Sequence, residues 1–155
     1  MKLSKKTDYA LRALMTLVGR RHDAGPISIR ELAEENDVPQ RFLEQIMLEL
    51  KRVGWVKSVA GRDGGFLLAM APEQITMGQV IRHFDGILSP VWCVSTTHYE
   101  PCSQEWKCRF RRVLLEIRNF IALRMDSMTL LDAYSGTPVS RDEVFAAEFM
   151  YADGI

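Results

Sequence analysis

The stretch from Ser28 to Met70, SIRELAEENDVPQRFLEQIMLELKRVGWVKSVAGRDGGFLLAM, decides the fold. Ser28 stands three residues before Glu31, the capping-box pattern of a side-chain acceptor followed by a carboxylate, so a short helix is expected from here to about Asn36. Asp37-Val38 is then a turn. Pro39 suits the first position of the next helix, where a missing N–H costs nothing, and Phe42, Leu43, Ile46, Met47, Leu50 and Val53 give that helix an apolar stripe up to Gly54. Two short helices joined by a tight turn form a helix-turn-helix. Trp55–Val59 and Phe66–Met70 are β-rich runs either side of Ala60–Gly65, a turn containing Asp63-Gly64, and predict a hairpin lying beside the second helix as a wing.

Upstream, Ser4 to about Arg20 carries Tyr9, Leu11, Leu14, Met15, Leu17 and Val18 at helical spacing, and Gly25-Pro26 breaks the chain. Downstream, Pro72 ends the hairpin and Thr76 with Gln79 offers a second capping pattern for a short helix through Phe84. Gly86 to Glu105 lacks periodicity and holds Ser89-Pro90 and Glu100-Pro101, so it reads as a loop. A long helix is expected from near Glu105 to about Met125, striped by Trp106, Phe110, Val113, Leu114, Ile117, Ile121 and Met125, and a stripe that long needs a partner surface. Thr129 caps a further turn at Leu130-Leu131, and Ser140–Glu143 starts a final acidic segment ending at Ile155. The expected fold class is mostly α with a small β-hairpin wing.

A chain of 155 residues, 47% hydrophobic and 26% charged, supports one ordinary core. No apolar run reaches the roughly eighteen residues of a membrane span, and Met1–Lys6 leads into amphipathic sequence without the apolar core of a signal peptide, so the expected location is the cytoplasm. Formal net charge is zero, which argues against an indiscriminate polyanion binder, yet residues 1–65 hold twelve basic and nine acidic side chains whereas residues 127–155 hold one and five. A nucleic-acid surface belongs in the first half.

In a winged helix the start of the second short helix enters the major groove, where Arg, Gln and Glu read base edges, while wing cations meet phosphates or the minor groove. Gln40, Arg41, Glu44 and Gln45 fit the first task and Lys57, Ser58 and Arg62 the second, with Ser28 at the start of the preceding helix also on the DNA side. Their bland alternative is a solvated helix face with a basic hairpin. Gly61, Gly64 and Gly65 do not open a helix and no lysine-serine pair follows, so they are a wing turn permitting positive backbone dihedrals and close approach to DNA rather than a phosphate-cradling loop.

The three cysteines, Cys93, Cys102 and Cys108, fall within sixteen residues. An odd number cannot close up as intrachain disulfides, whereas three thiolates and one borrowed ligand suit a four-coordinate metal or an iron-sulfur cluster. Lys107, Arg109, Arg111 and Arg112 surround Cys108 at a helix start, where cations and the helix dipole favour the thiolate. His98, between the cysteines, is a possible fourth ligand; His22 and His83 read as ordinary histidines. A Cys-x-x-Cys pair, a metalloprotease helix and a nucleophile elbow are all missing, which argues against a thiol or metal enzyme.

Met1-Lys2-Leu3-Ser4 with Thr7-Asp8-Tyr9-Ala10-Leu11-Arg12, then Phe42-Leu43-Glu44-Gln45, Gly64-Gly65-Phe66-Leu67-Leu68 and the late cysteines, in this order and spacing, make residues 1 to about 135 resemble the Rrf-two family of winged-helix transcriptional regulators. That family includes the iron-sulfur cluster assembly regulator and the nitric-oxide-sensing repressor. The resemblance implies a homodimer joined through the long helix and bound to a double-stranded DNA operator, with a winged helix-turn-helix over 1–85, a cysteine-bearing cluster loop over 86–108, a dimerisation helix region over 105–135 and a C-terminal tail over 136–155. It also implies an iron-sulfur cluster on Cys93, Cys102 and Cys108, 4Fe-4S ahead of 2Fe-2S, sensing iron, redox state or nitric oxide. The fourth ligand implied by the nitric-oxide sensor is Asp8 from the other subunit, with His98 its rival. The histidine that the assembly regulator places three residues after the last cysteine is here Arg111. The eight-residue spacer between Cys93 and Cys102 is longer than in the best-known members, and the basic residue before the wing glycine is replaced by Ala60. The alternative reading is a cluster-free regulator of the same fold that responds through thiol oxidation or a partner protein.

Overall fold

A computed structural model describes residues 2–22, 25–86 and 88–146. Helix α1 spans Lys5–Gly19, and its N-cap Ser4 accepts from the Thr7 amide at 3.1 Å, satisfying one of the unpaired first-turn donors. Helix α2 spans Ile29–Asn36 and is capped by Ser28, whose hydroxyl accepts from the Glu31 amide at 3.2 Å. The reciprocal half of the expected capping box is not formed, because the Glu31 carboxylate is drawn to the guanidinium of Arg20, 2.8 Å away. Asp37 takes the left-handed conformation at φ 51°, ψ 51°, which turns the chain tightly, and the Val38 amide returns to the Ala33 carbonyl at 3.0 Å. Helix α3 follows over Gln40–Arg52; Pro39 is its N-cap rather than its first residue, and its carbonyl accepts from Phe42 and Leu43.

Strands β1 (Val56–Val59) and β2 (Gly65–Leu68) pair antiparallel, Val56 opposite Leu68 and Val59 opposite Gly65. Ile27 adds a bridge to the outer edge of β2: its amide donates to the Phe66 carbonyl at 3.1 Å and its carbonyl accepts from the Phe66 amide at 2.8 Å. This edge explains the wing glycines better than DNA approach does. Gly61 has φ +119° and so needs its missing side chain, but a Cβ on Gly64 would strike the Val59 carbonyl and one on Gly65 the Ile27 carbonyl. Their close approach is to their own chain.

Helix α4 (Met77–Asp85) starts with both halves of the Thr76–Gln79 capping box in place. The long helix α5 spans Arg111–Ser127, so it begins six residues later than the periodicity predicts. Glu105 is the reason: its carboxylate accepts from the Cys102 amide at 3.1 Å and from the Tyr99 hydroxyl at 2.7 Å, a local bonding set that competes with helix and leaves Glu105–Phe110 in turns. Trp106, placed on the helix stripe by its spacing, is therefore off it and 83% exposed. Helix α6 (Leu130–Ser135) has a Thr129–Asp132 capping box, and α7 (Arg141–Val144) is capped by Ser140. The remainder of the expected acidic segment, 147–155, lies outside the described residues.

Leu14, Leu17 and Val18 of α1, Leu32 of α2, Leu43, Ile46, Met47 and Leu50 of α3, Val56 of β1, Val80 of α4 and Leu130 of α6 form one buried cluster. Helix α1 is its centre, packing on α2, α3, α4 and α6. Helix α5 contributes no buried residue, and Phe110 just before it together with its Val113, Ile117, Phe120 and Leu123 stands exposed. No helix among the described residues is long and apolar enough to cross a membrane.

Candidate functional site

Two surfaces carry chemistry, and the long helix connects them. On the first, Gln40, Arg41 and Gln45 project from the start of α3 into solvent while Leu43, Ile46 and Met47 fill the core behind them. The amide of Gln40 donates to half-buried Glu44 at 3.0 Å, which fixes the pair along the exposed face. Lys57, Ser58 and Arg62 are exposed on the hairpin, and Lys51 near the end of α3 donates to the Ser58 hydroxyl at 2.6 Å, tying recognition helix to wing. The Ser28 hydroxyl is committed to the α2 cap. Lys6 of α1 braces the back of α3 through Glu49 at 2.8 Å. The helix-turn-helix is thus a rigid presentation of polar side chains at a helix start.

The second surface is a cleft of about 620 Å³ whose walls include Cys93, Cys108, Ser95, Arg112 and Arg118. Arg111, the first residue of α5, closes its inner wall: Nε and Nη2 donate to the Cys93 carbonyl at 3.2 and 2.7 Å, and Nη2 lies 3.4 Å from Glu105. Hydrogen bonds from Tyr99 and from the Cys102 amide hold the Glu105 carboxyl below its ordinary value, and the same bond to Glu105 raises the Tyr99 hydroxyl. Arg111, singled out in the sequence as one of the cations around Cys108 and as a departure from a ligand histidine, is the anchor of the cysteine loop. Sequence spacing gave no sign of this, since the partner is a backbone carbonyl eighteen positions away.

The structure brings Cys93 and Cys108, both half-buried, to one cleft, while Cys102 is exposed on the adjoining turn. Among the described residues no three His, Cys, Asp or Glu side chains are gathered as a metal ion requires. His98 is exposed, with its ring 6.2 Å from that of Trp92 and Nδ1 3.2 Å from the Thr97 hydroxyl, and is not part of the cleft wall. Asp8 lies on α1 and pairs within its own chain with Arg12 at 2.8 Å. A set of two thiols among guanidinium groups suits an anionic sulfur-bound centre in charge and donor type, while the third cysteine, exposed, is not part of the cleft wall.

At its far end α5 is fixed to the helix-turn-helix unit. Arg82 of α4 holds Asp126 bidentately at 2.6 and 2.7 Å, the Met77 amide donates to the Met128 carbonyl at 2.9 Å, and the Leu130 amide to the Ile75 carbonyl at 2.8 Å. Gly78 leaves room for this pair, since a Cβ there would displace the Asp126 carboxylate.

The family model described as iron-dependent transcriptional regulators, Rrf2, matches residues 3–136. The chain belongs to the Rrf2 family. Rrf2 members are transcriptional regulators rather than enzymes, and the chain is accordingly a winged-helix DNA-binding regulator. A putative rrf2-like regulator of Rhodobacter capsulatus is 36% identical over 90% of this chain and 97% of its own length. The regulator NsrR of Geobacillus kaustophilus is 33% identical over 85% of this chain and 88% of its own. The structure of CymR, the global cysteine regulator of B. subtilis, superposes with a TM-score of 0.75 at 33% identity, covering 89% of this chain and 99% of that one.

Proposed function

We propose that the protein binds its operator as a homodimer joined through α5, and that occupancy of the cysteine cleft by an iron-sulfur cluster sets its affinity for DNA. The observation that carries this reading is the shared cleft of Cys93 and Cys108 beside Arg111 at the start of α5, with the other end of the same helix clamped to α4. Cys93, Cys102 and Cys108 would hold the cluster, with Asp8 of the partner subunit as the fourth ligand ahead of His98. A bound cluster supplies a reversible redox and nitrosyl-reactive centre.

The chain's own residues do the rest. Arg111 holds the Cys93 carbonyl against α5, so a change in the cysteine loop pulls on the helix start. Arg82–Asp126 passes a rotation of α5 to α4, and α4 packs on α1, the centre of the winged unit. Two recognition helices must meet half-sites about one DNA turn apart, so a small rotation at the dimer helix changes affinity strongly. Exposed Gln40, Arg41 and Gln45, with half-buried Glu44, read bases and Lys57, Ser58 and Arg62 meet the backbone, with Ser28 orienting α2.

A second reading, thiol oxidation without a cluster, is favoured by one observation: only two of the three sulfurs share the cleft. Protein prepared without oxygen and supplied with iron and sulfide separates the two. The cluster reading expects bound iron and acid-labile sulfide with visible absorption, lost in Cys93→Ala and Cys108→Ala. Colourless protein whose operator affinity changes on oxidation of Cys93 and Cys108 favours the second, and an affinity indifferent to both treatments contradicts either.

A further inference from the structure

The cysteine cleft holds more positive charge and more unused donors than sulfur ligation explains. Arg109, Arg112 and Arg118 line it, and none of them has an ion-pair partner among the described residues, whereas the one carboxylate in the wall, Glu105, already serves Arg111, Tyr99 and the Cys102 amide. The Nε of Arg118 is buried and has no hydrogen-bond partner. A buried donor left unmade costs about 1–3 kcal/mol, more for a charged group, so an arrangement that keeps one normally has an acceptor to offer it. Ser95 adds a buried hydroxyl to the same wall. It is only 6% exposed, and its oxygen accepts from the amides of Thr97 at 3.3 Å and His98 at 3.0 Å, which leaves the hydroxyl proton free to be given to a ligand.

Of these groups Arg118 sits on a face of α5 distinct from Val113, Ile117 and Phe120, Arg112 lies between the two faces, and Arg109 and Ser95 precede the helix. At about 100° per residue, Arg111, Leu115 and Arg118 fall on one line of the helix, and Val113, Ile117 and Phe120 on another roughly 150° around. Association through Val113, Ile117 and Phe120 leaves the Arg111–Arg118 line of the helix open to solvent. Guanidinium forks bind carboxylate and phosphate oxygens in pairs, and a cleft of about 620 Å³ has the size of small-metabolite pockets.

We propose that the Arg112–Arg118–Ser95 side of the cleft is a binding site for a small oxyanion of two or more negative charges, a phosphorylated or polycarboxylate metabolite, which serves as an effector beside the thiols. The site uses nitrogen and hydroxyl donors, not sulfur, so it stands or falls separately from the cluster reading.

The test uses the full chain stripped of iron with a chelator, in chloride buffer, titrated with inorganic phosphate and with citrate by calorimetry and by the ¹H–¹⁵N signals of the arginine Nε groups. The expected result is saturable binding of at least one anion, a shift of the Arg118 Nε resonance, and about tenfold or greater weakening in Arg118→Gln and in the exposed, fold-neutral Arg112→Gln. Phosphate bound without citrate identifies a phosphoryl ligand, and citrate without phosphate a polycarboxylate. Absence of saturable binding by both anions, or undiminished binding in both variants, overturns the proposal.

Discussion

Gly65 shows how a single hydrogen atom in place of a side chain holds the wing together. Its α-carbon faces the Ile27 carbonyl so closely that Gly65→Ala must part Ile27 from Phe66, breaking two backbone hydrogen bonds. We expect a loss of about 1–3 kcal/mol in urea unfolding together with weaker operator binding; unchanged stability would show that the edge can yield. The Asp126 carboxyl lies below its ordinary value because Arg82 donates to both oxygens, with partial burial acting in the opposite sense. A depressed folded pKa gives stabilisation that is present above the unfolded value of about 3.9 and disappears as pH falls through the folded value. Thermal melting from pH 7 down to pH 2 should therefore drop more steeply at the acid end for the wild type than for Asp126→Asn, and parallel curves would remove the clamp from the account. At this scale the sequence was legible where one residue acts on its own neighbours, as at the Ser28, Thr76 and Thr129 caps. It was silent on Arg118 and on the carbonyl that Arg111 holds, because both depend on a cleft formed by distant chain.

At the scale of elements, periodicity located α1, α3 and α4 closely, because each has a one-sided apolar stripe and a cap or breaker at its ends, and two β-rich runs around a glycine turn located the hairpin. It failed at the start of α5, where apolar spacing continues through Trp106 but Glu105 binds the backbone behind it. Helix α5 itself carries the largest uncovered apolar stripe of the described residues, with Phe120 71% and Leu123 73% exposed. A charge in that stripe, Ile117→Glu or Phe120→Glu, should convert a dimer into monomers in analytical ultracentrifugation while leaving the far-ultraviolet spectrum of the winged unit in place. A dimer that persists in both variants would move the interface elsewhere. For the wing, Lys57→Ala should lower the slope of log affinity against log salt by about one while keeping base preference, and Gln45→Ala should relax base preference with the slope kept. Binding assays over a salt series on matched and mismatched operators distinguish the two.

The whole molecule is a winged helix-turn-helix with one long helix that touches the cysteine cleft at its start and the DNA-binding unit at its end. The winged-helix fold was legible in sequence because it rests on local pattern. The sulfur site was legible as a clustering of cysteines within sixteen residues and no further, since bringing Cys93 and Cys108 together depends on the loop's return to α5. The central claim is that this cleft controls the other surface. Its most direct measurement is the operator dissociation constant of anaerobically prepared protein before and after removal of iron and oxidation of thiols, in the wild type and in Cys108→Ala. The account predicts a change of at least about tenfold in the wild type and none in the variant. Equal operator affinity in every state of the wild type would contradict it.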